Sequence, residues 1–270
     1  MDDGGTWPGP LFYGPAALSL TRGDGMTAFE EAKLRGLLHL QEKGGIGTLS
    51  ERCLHAVLKY WVEPDESRHE VRLPCGLVAD VYDGERVVEI QTGSLYPLRG
   101  KLARLLPDTP VTVVVPVIRR KTLIWLDPVT GEVAAPRKSP RQGGFWDAFS
   151  ELHWLLPYLP DPGLSLRLVE LDLEESRVRD GWGRDGKRGS HRVERVPTDI
   201  GNELWLRKPA DFAALLPPGL PEVFTTADLR RAGRLSAKKA GYGINLLYKL
   251  ECVVRIGKKG NAYLYQLART

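Results

Sequence analysis

The sequence has 270 residues, 42% hydrophobic and 27% charged, with a formal net charge of +4. That balance excludes a disordered or fibrous chain and leaves a globular protein of one large or two smaller domains. No run of about eighteen apolar residues occurs, so nothing reads as spanning a bilayer, and Cys53, Cys75 and Cys252 stand too far apart for a disulfide framework or a zinc site and are expected as buried thiols.

Residues 1–25 hold six glycines and no hydrophobic periodicity, which reads as a disordered leader. They lack the basic start and apolar stretch of a secretory signal, which predicts a cytoplasmic location. Apolar spacing then predicts a helix over 28–40, ended by Gly44 and Gly45, and a second helix from Leu49 to Val62 that stops before Pro64. Strand-like runs follow at 69–74, 76–82, 86–92, 110–117, 121–127 and 164–172, with helices expected at Tyr96–Leu106 and Phe145–Leu156. This order predicts an α/β fold with a mixed sheet flanked by helices. The basic, glycine-rich stretch 177–192 reads as a mobile loop.

Charge is unevenly spread. Between Glu63 and Glu89 eight acids face three arginines, a net charge of −5, whereas Pro221 to Thr270 carries ten Lys and Arg against three acids, a net of +7. One region suits cations and the other polyanions. Three divisions are expected: the leader 1–25, an α/β domain over 26–208 and a basic module over 209–270.

The segment GLVADVYDGERVVEIQTG, residues 76–93, carries the most chemistry. Asp83-Gly84 between two alternating runs signals a two-residue type I′ hairpin, which would pair Tyr82 with Glu85 and Asp80 with Val87. Side-chain alternation then places Asp80, Val87, Glu89 and Gln91 on one face, with Asp80 and Glu89 as diagonal neighbours about 7–8 Å apart. Two carboxylates in apolar strands repel each other and resist desolvation unless a cation or a raised pKa compensates. A hard divalent cation accounts for them, since Mg²⁺ is commonly held by one or two carboxylates with substrate phosphates and water.

Glu51 on the second helix, Asp80 at the end of one strand and Glu89-Ile90-Gln91 on the next resemble the PD-(D/E)XK nuclease superfamily in its variant with Gln at the usual Lys. Residues 47–106, with GTLSERCLHAVLKYWVEPD, VVEIQTG and LRGKLARLLPD, are similar to a largely uncharacterised bacterial family of that superfamily. The resemblance implies a restriction-endonuclease-like α/β core and Mg²⁺- or Mn²⁺-dependent cleavage of nucleic acid. It also implies metal ligation by Asp80 and Glu89; the hairpin register is expected to bring the carbonyl of Ile90 to the same metal, and Glu51, Gln91 and Lys101 are expected to complete the catalytic set. Gln91 cannot supply the positive charge of the superfamily's lysine. Lys101 or Arg99 on the following helix is expected to replace it, with Lys59 and His55 as lesser substitutes; loss of activity is the alternative. Glu51, His55 and Lys59 share one helical stripe, which reads either as part of the site or as an exposed charged face.

The basic module reads as helix, helix and β-hairpin over 217–267. Thr225-x-x-Asp228 is a capping pattern, and Ser236 opens a helix to about Leu250. Ala240, Gly243, Ile244, Leu247 and Leu250 gather on one side of it and Lys238, Tyr242, Asn245 and Lys249 on the other. A turn with Lys258 and Lys259 follows. The pattern looks like a winged helix-turn-helix, in which the helix reads the major groove and the wing meets phosphate. The function expected is a nuclease, an endonuclease of the PD-(D/E)XK type, acting on DNA with Mg²⁺ as cofactor; the competing readings are an inactive DNA-binding regulator and an interaction adaptor. Partners expected are DNA and a second copy of the chain, with no membrane.

Overall fold

Thr27 opens the first helix. Its Oγ1 accepts from Glu30 N at 3.2 Å while the Glu30 carboxylate accepts from Thr27 N at 2.8 Å, a reciprocal cap that fixes where α1 (Ala28–Glu42) begins. The structure, a computed structural model, describes residues 26–42, 49–127, 130, 132–178 and 190–268, without the side chains of 49–52 and 191. The expected leader 1–25, the glycine stop at 44–45 and most of the loop expected at 177–192 lie outside the described residues.

Two compact units form among the described residues, one from the chain up to Glu66 with Arg120–Pro140 and Asp172–Asp199, the other from Ser67–Arg119, Arg141–Leu171 and Ile200 onward. In the first unit α1 packs on α2 (Leu49–Val62). A Cβ on Gly36 would lie 2.9 Å from Val57 N, so glycine lets the two backbones approach.

The chain is a mixed α/β protein with a large mixed sheet and flanking helices. β1 (His69–Arg72), β2 (Val78–Tyr82) and β3 (Val87–Ile90) form an antiparallel meander, and α3 (Leu98–Leu105) carries the chain over to β4 (Val111–Leu126), which lies parallel to β3. β6 (Leu164–Val178) and β7 (His191–Leu206) continue the order as β1-β2-β3-β4-β6-β7, and β5 (Arg137–Lys138) pairs with β4.

Several expectations change. The runs at 110–117 and 121–127 are one strand, because the charges of Arg119 and Arg120 interrupt the apolar pattern without ending the strand; Arg120 Nη1 reaches Asp172 Oδ2 on β6 at 3.7 Å. The helix expected at 145–156 is broken into a 3₁₀ turn (Phe145–Ala148), a single α turn, α4 (Phe149–Leu152), and a second 3₁₀ turn (His153–Leu155). β6 runs to Val178, past the expected end at 172, and β7 has no counterpart among the expected strands. β7 is a terminal strand of the sheet, so its polar pattern with Pro197 and Gly201 conceals it. Cys53 and Cys252 are buried as expected, but Cys75 is exposed. Burial pushes the Cys53 thiol up to about 12 and that of Cys252 to about 11.

The core of the second unit is laid down by Val111, Val113, Val115 and Val117 of β4, Leu98, Leu102 and Leu105 of α3, and Phe149 and Leu152 of α4. The C-terminal elements α5 (Thr226–Ala232), α6 (Ala237–Lys249), β8 (Val253–Lys259) and β9 (Ala262–Leu267) add Leu229, Ile244, Leu247, Val253 and Tyr265 to the same core. Trp146 Nε1 donates to Gly233 O at 3.1 Å, and Lys239 Nζ meets Asp147 Oδ1 at 3.1 Å.

Two glycines of α6 have opposite roles. A Cβ on Gly243 would meet the Phe149 ring at 2.5 Å, whereas at Gly241 nothing lies within 4 Å. Gly241→Ala should therefore stabilise the protein by about 0.5–1 kcal/mol through helix propensity. Gly243→Ala should destabilise it by about 1–3 kcal/mol through overpacking, less that same propensity gain. Urea denaturation of both variants checks the pair, and equal effects would contradict the close α4–α6 packing.

Candidate active site

The hairpin register differs from the expected one by two residues. Val81 faces Val88 and Tyr82 faces Val87, and Asp83 N donates to Arg86 O at 3.4 Å, so the central pair of the turn is Gly84-Glu85 instead of Asp83-Gly84. Asp83 is the cause: its Oδ1 accepts from Glu85 N at 2.9 Å and Arg86 N at 2.7 Å, and only Gly84 of the central pair has positive φ, which a type I′ turn needs at both positions. These amides, Arg86 first, hold the Asp83 carboxyl below its ordinary range.

A shift of two preserves every face. The ladder ends at Val81–Val88, one step before Asp80 and Glu89, so this register brings the two toward each other instead of leaving them diagonal as expected. The carboxylates take amide hydrogens there: Ile90 N donates to Asp80 Oδ2 at 2.8 Å and Asp80 N to Glu89 Oε1 at 3.4 Å.

Glu89 is buried and Asp80 half-buried. The Glu89 pKa is pushed up to about 6: burial raises it most, the charge of Asp80 adds to the rise, and Lys101 opposes both. Lys101 comes from the first turn of α3. Its Nζ donates to Glu89 Oε2 at 2.5 Å and to Val78 O at 2.6 Å, so the ammonium is tied to both strands that carry the carboxylates.

Of the cations expected to replace the missing lysine, Lys101 meets Glu89. Arg99 lies with its guanidinium 5.4 Å from the centre of the Tyr96 ring. Gln91 turns to the following loop, where its Nε2 donates to Ser94 O at 2.8 Å. Ile90 enters through its amide, and its side chain is buried. Glu51 lies on α2 in the other compact unit, with its side chain outside the described residues. On the same helix Lys59 is buried and His55 half-buried, which does not suit an exposed charged face.

Two carboxylates and an ammonium are therefore gathered. Among the described residues no group of three or more His, Cys, Asp and Glu is placed to hold a metal ion. A pair of carboxylates still fits Mg²⁺, which usually keeps several waters and takes the rest of its ligands from substrate phosphates.

The C-terminal candidates lie on α6 and the β8–β9 hairpin. Lys238, Asn245, Lys249, Lys258 and Lys259 are exposed, while Tyr242 is half-buried and stacks on His153 with ring centres 4.5 Å apart. Lys259 faces Ala262, leaving Gly260 and Asn261 as the tip, with Gly260 at φ +59°. Arg255 lies 4.2 Å from the ring centres of both Tyr248 and Tyr263 and joins the hairpin to α6. Residue patterns alone did not single out Arg255, though its alternation with Tyr263 and Tyr265 was visible. Nor did they single out Tyr96, His153 and Trp154, which form ring contacts beside Tyr242.

The raised Glu89 pKa has a stability consequence. The folded state binds this proton more tightly than the unfolded chain, so the contribution is complete below about pH 4.5 and is lost as pH rises through about 6. In metal-free buffer the native protein should lose on the order of 1–2 kcal/mol from this group between pH 4.5 and 7. Glu89→Gln should flatten that part of the profile in urea titrations at several pH values; an unchanged profile would show that Glu89 ionises normally.

The model of a domain of unknown function, DUF8091, matches residues 52–207. An uncharacterised protein of Treponema pallidum (strain Nichols) is 32% identical over 221 residues, covering 82% of this chain and 87% of the relative. No solved structure matches. The matched domain includes the Asp80–Glu89 pair and Lys101, and the chain belongs to the DUF8091 family.

Proposed function

We propose that this protein is a Mg²⁺-dependent nuclease that hydrolyses phosphodiester bonds in DNA, with α6 and the β8–β9 hairpin acting as a winged-helix DNA-binding module. The observation that carries the reading is the carboxylate pair Asp80 and Glu89, with Glu89 pushed up to about 6 and the Lys101 ammonium on its Oε2. Its context of helix, hairpin and helix, set in a mixed sheet, supports the restriction-endonuclease-like fold that the sequence resembles.

Asp80 and Glu89 are the residues that would hold Mg²⁺, which when bound supplies Lewis acidity toward a phosphate oxygen and a water of lowered pKa. Glu89 must be ionised to do so, and its raised pKa means that a proton competes with the metal for it. Lys101 supplies the fixed positive charge near the site that Gln91 cannot, stabilising negative charge as it grows on the phosphate. The cation of the site thus comes from α3 instead of β3. Away from the chemistry, the exposed lysines of α6 and the hairpin meet phosphates and Asn245 is available to a base edge.

One observation favours a second reading, an inactive DNA-binding regulator. Lys101 Nζ lies 2.5 Å from Glu89 Oε2, and an ammonium paired with the carboxylate is also what a site that has exchanged its metal for a lysine would contain.

Incubation with plasmid, single-stranded and branched DNA under Mg²⁺ or Mn²⁺ tests the reading. Cleavage should occur, Asp80→Ala or Glu89→Ala should abolish it, and Lys101→Met should lower kcat by about 10²–10³-fold. Binding to DNA should survive these changes. No metal-dependent cleavage of any DNA, together with no Mn²⁺ binding by calorimetry, would leave the regulator.

Removing charge from the C-terminal module should act on binding instead. Replacing Lys238, Lys249, Lys258 and Lys259 together by Ala should weaken DNA affinity and lower the slope of log K against log salt by about 0.9 for each phosphate no longer neutralised. Affinity titrations at three or more salt concentrations give both quantities, and an unchanged slope would remove these lysines from the interface.

A further inference from the structure

Large aromatic side chains are usually covered, yet Tyr96 is 54% exposed and Trp154 37% exposed, and the two lie edge to face with ring centres 5.2 Å apart. Trp154 contacts His153 and Tyr242 with ring centres at 6.2 and 6.4 Å, and His153 stacks on Tyr242. Each end carries a cation: the Arg99 guanidinium is 5.4 Å from the Tyr96 ring centre, and Lys238 Nζ is 5.7 Å from that of Tyr242. The row therefore runs from the start of α3, whose Lys101 meets Glu89, to the exposed lysines of α6.

Backbone hydrogen bonds fix its site end. Leu95 N donates to Glu151 Oε2 at 3.0 Å and Tyr96 N to Ser94 Oγ at 3.3 Å, so the turn bearing Tyr96 is tied to α4 and to itself. Arg99 Nε and His153 Nδ1 are buried without a hydrogen-bond partner among the described residues, leaving unsatisfied polar atoms in the cations and rings of the row.

Flat, partly exposed rings flanked by cations match one ligand chemistry: planar bases strung on a phosphate backbone. Stacking on such rings is tolerant of sequence because every base has a π face, and the cations follow the phosphates. A stacked duplex has few free base faces to offer, whereas an unpaired strand offers many.

We propose that Tyr96 and Trp154, flanked by Arg99 and Lys238, are a stacking platform for unpaired nucleobases, which makes single-stranded nucleic acid, or the unpaired portion of a branched one, the preferred ligand. The proposal rests on the nucleic-acid reading above and names the substrate class for it. Tyr96 lies two residues before Leu98, the first residue of α3, and Lys101 three residues after it, so the platform and the cation of the site are carried by the same short segment.

Binding is read by fluorescence anisotropy in chelator, where no metal-dependent cleavage can occur. The probes are an oligothymidylate, the matching oligouridylate, an abasic deoxyribose-phosphate strand of equal length and a DNA duplex. Wild type should bind the two base-bearing strands about tenfold or more tightly than the abasic strand, and more tightly than the duplex. Tyr96→Ala and Trp154→Ala should each remove most of that preference, while Tyr96→Phe and Trp154→Phe should retain it. The salt slope should stay the same in the aromatic variants and fall in Arg99→Ala and Lys238→Ala. The relative affinities of the thymidylate and uridylate strands distinguish DNA from RNA as the source of the base.

Equal binding of the abasic and base-bearing strands, unchanged preference in both alanine variants, or no binding of any single strand would each overturn the platform. These outcomes are separate from cleavage. A protein that cuts duplex DNA under Mg²⁺ and ignores unpaired bases keeps the nuclease and loses the platform. One that prefers bases over the abasic strand and never cuts loses the nuclease and keeps the platform.

Discussion

A carboxylate buried beside a second carboxylate is destabilising unless a positive charge meets it, and in this chain that charge is Lys101. Its position depends on the crossover. β3 ends at Ile90, the loop through Ser94 is held by Gln91 Nε2 and Glu151, and α3 then starts at Leu98, bringing Lys101 back over Glu89 Oε2 and Val78 O. Leu98, Leu102 and Leu105 seat the helix in the core that β4 enters on its parallel return. The β3-α3-β4 unit thus does two tasks with one geometry: it completes the sheet and places an ammonium where the two strands would otherwise repel.

The same dependence explains how much of the site could be read from residue types. Face assignment in a strand follows from period two alone, so the alternation of residues is enough to make Asp80 and Glu89 neighbours on one face. The register is legible only modulo two. Asp83-Gly84 signals a turn, but whether its centre is Asp83-Gly84 or Gly84-Glu85 depends on whether the Asp83 carboxylate caps the amides of Glu85 and Arg86, and a sequence pattern carries no trace of that competition. A slip of one would have separated the carboxylates onto opposite faces; a slip of two brought them closer. Lys101 is legible as a candidate because it follows the hairpin at helical spacing, yet its preference for Glu89 over open solvent depends on Val78 O, which no motif records.

Elsewhere the failures share a cause. Pattern reading equates a break in apolar residues with a break in structure. Arg119 and Arg120 interrupt β4 without ending it because Arg120 finds Asp172 across the sheet. β7 reads as a loop because a terminal strand needs few apolar residues and tolerates Pro197. The opposite error occurs at 145–156, where helical spacing of apolar residues covers three short turns. There the sequence offers Phe149, Leu152 and Leu155 to the core from successive turns, and a broken helix presents them as well as a continuous one.

Glycine placement in α6 joins the packing argument to the functional one. Gly243 lets the helix lie against the Phe149 ring, which brings α6 beside the turn that bears His153 and Trp154 and lets Tyr242 stack on His153. A larger residue at 243 would push the helix off α4 and separate Tyr242 from that ring. The surface candidates of α6 are therefore positioned by a contact on its opposite, buried face. In the proposed nucleic-acid reading, the distance from the lysines of α6 to the carboxylates at Glu89 is set by the seat of α6 on α4 and of α3 on β4, two buried packings inside one compact unit. A flexible tether would let bound strand and reacting phosphate wander relative to each other, whereas shared core residues fix the span between them, and geometry of that kind is what separates binding near a site from presentation to it.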